Sequence, residues 1–247
     1  MKANYRSHME IAPGLHRVGD DVIACYLLVA DGRATLVDAG LPGHIRPLRR
    51  LLKKLDLTER DIAGLILTHG DVDHIGFAER LRSEFGTPVF VHPGDAARTR
   101  GDEKPPKSAG PEWRLGSALR FLGVGMRFGG RTRHPKVVRS VHDAEVANLP
   151  GNPQIIDLPG HSAGSVAVHF PSAHAVCVGD ALTTKHVLTG KRLPQPAPFT
   201  DEPALADASL DALSELDATI VLPGHGPPWR GSTASLIDAV RAFGSSR

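Results

Sequence analysis

A loop that carries four side chains of metal-binding type follows directly on a short apolar run, and this feature restricts the fold more than any other. The loop reads Thr68-His69-Gly70-Asp71-Val72-Asp73-His74, and the run before it, Ala63–Leu67, has the length of a buried strand. Packing does not account for these side chains, because unpaired imidazoles and carboxylates are costly in a core. A polar turn that caps the next helix would explain Asp73 but neither histidine. The loop therefore indicates a metal site at a strand end, where a rigid sheet holds such loops in place.

Three further segments repeat this arrangement, each with one ligand-type residue beside a glycine just after a predicted strand. They are Pro159-Gly160-His161, Val178-Gly179-Asp180 and Pro223-Gly224-His225. Glycine permits the tight turns that would bring these side chains together. The sequence thus predicts that seven side chains converge at one edge: His69, Asp71, Asp73, His74, His161, Asp180 and His225.

Short apolar runs alternate with helical periodicity in two similar halves. In the first half, predicted strands at 15–18, 22–29, 33–37, 63–67 and 89–91 accompany predicted helices at 45–55 and 75–85. In the second half, predicted strands at 154–157, 165–170, 175–178 and 219–222 accompany helices near 204–216 and 234–243. Two such halves predict an α/β fold with two facing sheets covered by helices, a four-layer αββα sandwich. We expect one domain over residues 14–247 and an N-terminal extension over residues 1–13.

Composition excludes several classes of protein. The chain has 247 residues, 41% of them hydrophobic, and a formal charge of +2, as is usual for a soluble globular protein. Its longest apolar run, Val22–Ala30, is far shorter than the roughly 20 residues of a membrane span, so we expect no membrane partner. Neither an apolar secretory segment at the N-terminus nor a CxxC motif is present, and Cys25 and Cys177 are far apart. We therefore expect a cytoplasmic protein.

The segment from about residue 98 to 139 differs from the rest of the chain. It contains eleven Lys and Arg against three acidic residues, a net charge of +8, and an apolar, partly helical stretch at 115–126. The segment is either a solvated surface insertion or a lid that attracts anionic substrates. A nucleic-acid partner is not expected, since only Trp113, Phe121 and Phe128 could stack on bases and no recognition motif is present. The sequence makes no prediction of oligomeric state.

Together these motifs resemble the metallo-beta-lactamase superfamily, whose loop runs His-x-His-x-Asp-His and precedes a distant His, a bridging Asp and a final His. The resemblance extends from about Gly14 to Pro228. It implies that His69, Asp71 and His161 hold a first metal ion, that Asp73, His74 and His225 hold a second, and that Asp180 bridges them. The ions would be divalent, with zinc expected first.

Asp71 is a departure from this pattern, because most members of the superfamily have histidine there. The carboxylate lowers the net charge of the site by one and adds a hard oxygen ligand, which favours iron or manganese as alternatives to zinc. Related flavo-diiron proteins carry glutamate at this position, so a carboxylate there is compatible with metal binding.

A two-metal site provides a bridging hydroxide as nucleophile at neutral pH. The resemblance to glyoxalase-II-like and lactonase-like members implies a small-molecule substrate, namely a small ester, thioester or lactone. We assign Asp73 a catalytic role in transferring the proton of the nucleophile. Lys185 and His186 follow Asp180 closely and are candidate substrate contacts.

Three other activities compete with this interpretation. The basic segment would suit a phosphodiesterase that acts on an anionic substrate. An iron-dependent oxidoreductase of the same fold would need one iron, which His69, His161 and Asp180 could hold. A serine hydrolase is suggested by Gly160-His161-Ser162-Ala163-Gly164, followed by Asp180 or Asp201 and then His225. That motif requires a helix after the serine, whereas the alternating run at 165–170 predicts a strand.

Overall fold

The computed structural model describes residues 8–104 and 115–244. The first sheet has seven strands in chain order: β1 (His8–Ala12), β2 (Leu15–Gly19), β3 (Ala24–Ala30), β4 (Arg33–Val37), β5 (Ile62–Ile66), β6 (Val89–Val91) and β7 (Arg139–Ser140). The second sheet has five strands in the order β12-β11-β10-β9-β8: β8 (Gln154–Asp157), β9 (Val166–Phe170), β10 (Ala175–Gly179), β11 (Ile220–Pro223) and β12 (Trp229–Arg230).

Strand direction decides which loops can meet. In the first sheet β1 to β4 pair antiparallel, whereas β4, β5, β6 and β7 pair parallel. In the second sheet β10 and β11 pair parallel. The carboxyl ends of parallel strands lie at one edge of a sheet, so the loops after β4, β5 and β6, and those after β10 and β11, are brought together.

The described part of the chain has six α-helices: α1 (Ile45–Lys54), α2 (Ala78–Arg80), α3 (Ala96–Arg100), α4 (Leu115–Phe128), α5 (Pro203–Ser209) and α6 (Thr233–Gly244). Helix α1 buries Leu48, Leu51 and Leu52, which recur at helical spacing on one face. Its opposite face carries the charged residues Arg49 and Lys53.

The core consists of three apolar layers. Leu27 of β3 packs with α1 on the outer side of the first sheet, whereas its neighbour Tyr26 points inward, toward β9 to β11, as strand alternation requires. On the far side of the second sheet, Val176 packs with Leu236 of α6. Helix, sheet, sheet and helix therefore follow one another, and the predicted αββα sandwich is confirmed.

Several element boundaries differ from the sequence prediction. Residues 8–12 of the expected N-terminal extension form β1, which pairs with β2 at the edge of the first sheet. The helix expected at 75–85 consists of α2 and one π-helical turn, Leu81–Phe85. The helix expected near 204–216 ends as α5 at Ser209 and continues as a 3₁₀ turn, Leu210–Leu213.

The described parts of the basic segment contact the rest of the domain. Arg98 of α3 bonds to Asp71 and Asp201, and Val124 and Phe128 of α4 pack against Val22 and Ile23. Residues 105–114, including Trp113, lie outside the described residues. Among the helices of the described part, none has the length and apolar composition required to cross a bilayer.

Candidate metal centre

The structure brings all seven predicted ligand residues together at the edge where the two sheets meet. The loop that carries His69, Asp71, Asp73 and His74 follows β5. The other three residues follow strands of the second sheet: His161 after β8, Asp180 after β10 and His225 after β11. We call these seven residues the metal centre.

Six of the seven residues of the metal centre form two groups of three. In the first group, Asp71 Oδ2 lies 3.6 Å from His69 Nε2 and 3.3 Å from His161 Nε2. In the second group, His225 Nε2 lies 3.5 Å from Asp73 Oδ2. These are the two sets that the resemblance implies. In each set, one ligand atom from every residue lies within 4.8 Å of the others.

Asp180 lies between the two groups. Its Oδ2 is 3.1 Å from His225 Nε2 and 3.9 Å from His161 Nε2, and its Oδ1 is 3.5 Å from His74 Nε2. One carboxylate thus faces histidines of both groups, as a bridging ligand must.

Each histidine of the metal centre has its Nδ1 engaged on the side away from the centre. The partners are Thr68 Oγ1 for His69, Asp38 Oδ2 for His74, Thr200 Oγ1 for His161 and the carbonyl of Val22 for His225. Thr68 and Thr200 donate their own hydroxyl protons to Asp38 and to the Ala197 carbonyl, so both accept from the imidazole. Nδ1 therefore carries a proton in each ring, and Nε2 is the nitrogen that would present its lone pair to a bound ion.

Three buried atoms at the centre indicate that a cation fits there. Among the described residues, His69 Nε2, His74 Nε2 and Asp180 Oδ1 are buried and have no hydrogen-bond partner. Unpaired buried polar atoms are costly and rare in folded proteins. A divalent ion bound by these atoms would satisfy all three, and imidazole with carboxylate is a suitable donor set for zinc, iron or manganese.

The carboxylates of the site shift the pKa values of its histidines. Burial alone would lower the pKa of His74, but Asp38 and Asp180 raise it to about 10. Burial is likewise outweighed at His225, whose pKa Asp180 raises to about 9. By contrast, burial and the neighbouring imidazoles of His74 and His161 hold the pKa of His69 well below its usual value. In the metal-free protein, two protons therefore occupy positions where an ion would bind.

Asp71 uses its second oxygen outside the metal centre. Arg98 of α3 donates from Nε and Nη2 to Asp71 Oδ1 at 2.7 and 2.6 Å, and from Nη1 to Asp201 Oδ2 at 2.8 Å. Burial raises the pKa of Asp71, but the hydrogen bond with His161 and the charges of His69, His161 and Arg98 lower it further than burial raises it. Asp71 is therefore ionised and charge-paired.

Two buried aspartates that the sequence analysis did not select hold the ligand loops. Asp95 accepts from the backbone N–H groups of Gly70 and Gly164, both at 2.7 Å, and so joins the loop of His69 to that of His161. Asp38 accepts from Thr68 N at 2.8 Å as well as from His74. Both aspartates follow strand ends, β4 and β6, which is the same signal that identified Asp180.

The serine-hydrolase alternative does not agree with the structure. Ser162 is buried, and its hydroxyl lies 2.8 Å from both Asp95 Oδ2 and Ser165 Oγ. Strand β9 begins at Val166, where a nucleophile elbow would need a helix. The predicted strand is confirmed, and Ser162 has a structural role.

A cavity of about 500 Å³ opens in front of the metal centre. Its apolar wall consists of Leu41, Val72, Val187, Pro198 and Phe199, and its rim carries Glu103, Lys104 and His134. Lys185 and His186 are both buried, and neither is among the described residues that line the cavity. His186 Nδ1 instead accepts from the backbone N–H groups of Leu188 and Thr189, at 3.2 and 3.3 Å.

Comparison with known proteins identifies the family of the chain. A sequence model of the metallo-beta-lactamase superfamily matches residues 18–225. Uncharacterized protein Rv2581c of Mycobacterium tuberculosis is 34% identical over 229 residues, which cover 89% of this chain and 90% of that protein. Probable metallo-hydrolase YflN of Bacillus subtilis is 26% identical over 245 residues, which cover 90% of this chain and 87% of YflN.

A solved structure of a similar protein has the same fold. TTHA1623, determined in a di-iron-bound form, superposes with a TM-score of 0.60 and 26% identity, and the match covers 91% of this chain and 96% of TTHA1623. The family model covers most of the chain, and the solved structure shares its fold. The chain belongs to the metallo-beta-lactamase superfamily.

Proposed function

We propose that this protein is a dinuclear metallo-hydrolase that cleaves a small ester, thioester or lactone. The observation that carries the proposal is the convergence of seven ligand residues in two groups, with Asp180 between them. Two divalent ions bound there would supply a hydroxide nucleophile at neutral pH and would polarise the substrate carbonyl. The resemblance to a probable metallo-hydrolase and to a di-iron protein supports this assignment.

Asp73 is the residue to which we assign proton transfer. Its carboxylate lies on the cavity wall and is partly exposed, with Oδ2 3.5 Å from His225 Nε2. It is therefore placed both to orient the nucleophile and to hold its proton when the substrate carbonyl is attacked.

The cavity supports a substrate with an apolar acyl part. Val72 and Phe199 are large apolar side chains with about half of their surface exposed, and both lie on the wall next to the centre. Phe199 also has a backbone φ of +61°, a strained conformation for a bulky residue, and strain of this kind is enriched at functional sites. An acyl group packed on this wall would have its carbonyl at the metal centre.

An anionic substrate, including a phosphodiester, is the second candidate. Lys104 lies on the rim of the cavity beside Glu103 and His134, so the basic segment contributes a cationic group to its entrance. That group favours substrates with a carboxylate or phosphate at the end remote from the scissile bond.

We propose zinc as the first candidate metal and iron or manganese as alternatives, because Asp71 adds an oxygen ligand. A single iron held by His69, His161 and Asp180 would instead favour an oxidoreductase. We also propose a reducing, cytoplasmic location, since Cys25 and Cys177 are both buried free thiols.

Elemental analysis of protein purified without added metal is the first test. We expect about two ions per chain, together with hydrolysis of ester or thioester substrates that chelation abolishes and that metal restores. One iron per chain with no hydrolysis would favour the oxidoreductase. No bound metal after reconstitution would contradict the proposal.

A further inference from the structure

We propose that Arg98 is a positioning residue that makes Asp71 a one-oxygen metal ligand. The inference rests on the proposed function, because it concerns how one carboxylate of the metal centre meets an ion. It identifies the residue that lets an aspartate serve where the superfamily pattern has a histidine.

The geometry at Asp71 separates its two oxygens. Oδ1 accepts both Nε–H and Nη2–H of Arg98 at 2.7 and 2.6 Å, whereas Oδ2 faces His161 and His69 at 3.3 and 3.6 Å. A free carboxylate can bind an ion through both oxygens, but a histidine presents a single nitrogen. By occupying Oδ1, Arg98 leaves one donor atom for the metal centre.

Arg98 can do this because it is itself fixed. Its side chain is only 8% exposed, and its third donor, Nη1, is bound to Asp201 at 2.8 Å. The backbone N–H of Asp201 in turn donates to the carbonyl of His161 at 3.1 Å. The guanidinium therefore connects α3, the loop of Asp71 and the segment that contacts His161.

A lysine at position 98 would keep the charge but lose this arrangement. An ammonium group donates all its hydrogen bonds from one freely rotating nitrogen, whereas the planar guanidinium holds two carboxylates at fixed angles. The substitution Arg98→Lys thus separates positioning from charge.

The test measures metal affinity and coordination rather than turnover. Co²⁺ is titrated into metal-free wild type, Arg98→Lys, Asp71→His and the Asp71→His/Arg98→Lys double variant in competition with a chromophoric chelator. We expect Arg98→Lys to weaken Co²⁺ binding about 10- to 100-fold, as loss of an outer partner of a ligand does. Its visible Co²⁺ absorption should also weaken, because a freed Asp71 can bind through both oxygens and raise the coordination number. In the Asp71→His background, the same substitution should change affinity by no more than about twofold.

Two controls separate positioning from general damage. Arg82→Lys removes a similar guanidinium–carboxylate pair, with Glu79, and should bind Co²⁺ like wild type. Asp201→Asn removes the charge of the other carboxylate on Arg98 but keeps a side-chain oxygen that can accept from Nη1, so it should leave the Co²⁺ spectrum unchanged.

The proposal is overturned if Arg98→Lys binds Co²⁺ as wild type does, or if it weakens binding equally in the Asp71→His background. It is also overturned if Asp201→Asn reproduces the effect of Arg98→Lys, since Arg98 would then act through the loop of Asp201. Failure of the wild type to bind Co²⁺ would refute the proposed function itself, and the role of Arg98 with it.

Discussion

At the residue scale, the chemistry of the centre depends on which ring nitrogen of each histidine carries a proton. All four histidines use Nδ1 for a protein partner and turn Nε2 toward the centre. The sequence predicted the four histidines, because each follows a strand end. It could not predict Thr200 or the Val22 carbonyl as their partners, since such contacts depend on loop geometry and leave no pattern in the chain.

Metal binding should release protons, because the pKa values of His74 and His225 are about 10 and about 9 in the metal-free protein. Both groups are protonated at pH 7, so an ion must displace those protons. Apparent metal affinity should rise as pH increases toward about 9 to 10, where the two groups lose their protons unaided. Titration of metal into weakly buffered protein with a pH indicator measures this release. Absence of proton release at pH 7 would contradict the assignment of these two residues.

Replacing Asp71 with histidine should keep the metal centre and move its preference toward zinc. The substitution removes a hard oxygen ligand and supplies the imidazole nitrogen that zinc accepts well. Competition between Zn²⁺ and Mn²⁺, followed by elemental analysis, gives the ratio for wild type and variant. Loss of all metal from Asp71→His would show that the carboxylate itself is required.

At the element scale, the turns after the strands decide whether the ligands can approach one another. A Cβ on Gly224, directly after β11, would lie 2.5 Å from His74 Cε1 and 2.6 Å from Asp180 Oδ1. Both contacts are far closer than packed atoms tolerate. Glycine is therefore required there by the metal centre rather than by the turn alone.

Gly224→Ala should consequently impair metal binding and destabilise the fold by about 1 to 3 kcal/mol, the usual cost of overpacking. Gly123→Ala in α4 is the matched control, since a Cβ there meets nothing within 4 Å, and it should stabilise by about 0.5 to 1 kcal/mol. Thermal unfolding and Co²⁺ titration of both variants provide the comparison. Normal metal binding by Gly224→Ala would show that the loop can move aside.

The basic segment should act on substrate charge through Lys104, which lies on the cavity rim. Lys104→Met should raise KM for anionic esters more than for neutral esters of the same size, and added salt should reduce that difference. Steady-state kinetics with an anionic and a neutral ester of the same size measure the difference in KM. Arg60→Gln, which removes a positive charge from an exposed residue outside the segment, serves as the control. An equal change in KM for both esters would show that the segment does not attract anionic substrates.

The sequence predicted strands correctly where the apolar pattern was strong. It missed strands that are defined only by backbone hydrogen bonds to a neighbouring strand. Strands β4, β6 and β8 have the predicted bounds, because each is a short run between clear turn signals. The edge strands β7 and β12 have only two residues each, Arg139–Ser140 and Trp229–Arg230, and carry no alternation. The role of Arg98 was equally invisible, since in the chain it is one of eleven basic residues in its segment.

At the scale of the whole molecule, the metal centre lies across the junction of the two sheets. The first sheet supplies the loop from His69 to His74, and the second supplies His161, Asp180 and His225. Backbone contacts join the sheets at the same place, with Ala24 N donating to the Gly224 carbonyl at 3.0 Å and Val166 N to that of Thr68 at 2.9 Å. The predicted four-layer fold accounts for this position, because the layers bring the two strand-end edges together.

This position has a consequence for the order of events in folding. The contact of His225 with Val22 joins residues 203 positions apart, so the centre is complete only after both sheets have formed and docked. An ion bound at this centre would therefore not nucleate folding, because it would meet a complete site only in the folded molecule. Metal should therefore slow unfolding while leaving the refolding rate unchanged. Stopped-flow denaturant jumps with and without chelator measure both rates, and faster refolding with metal would mean that the two halves meet early. On this view a bound ion would cross-link the two halves of the chain only after they have folded. Its main effect would be to lengthen the lifetime of the folded state, and the rate of folding would not change.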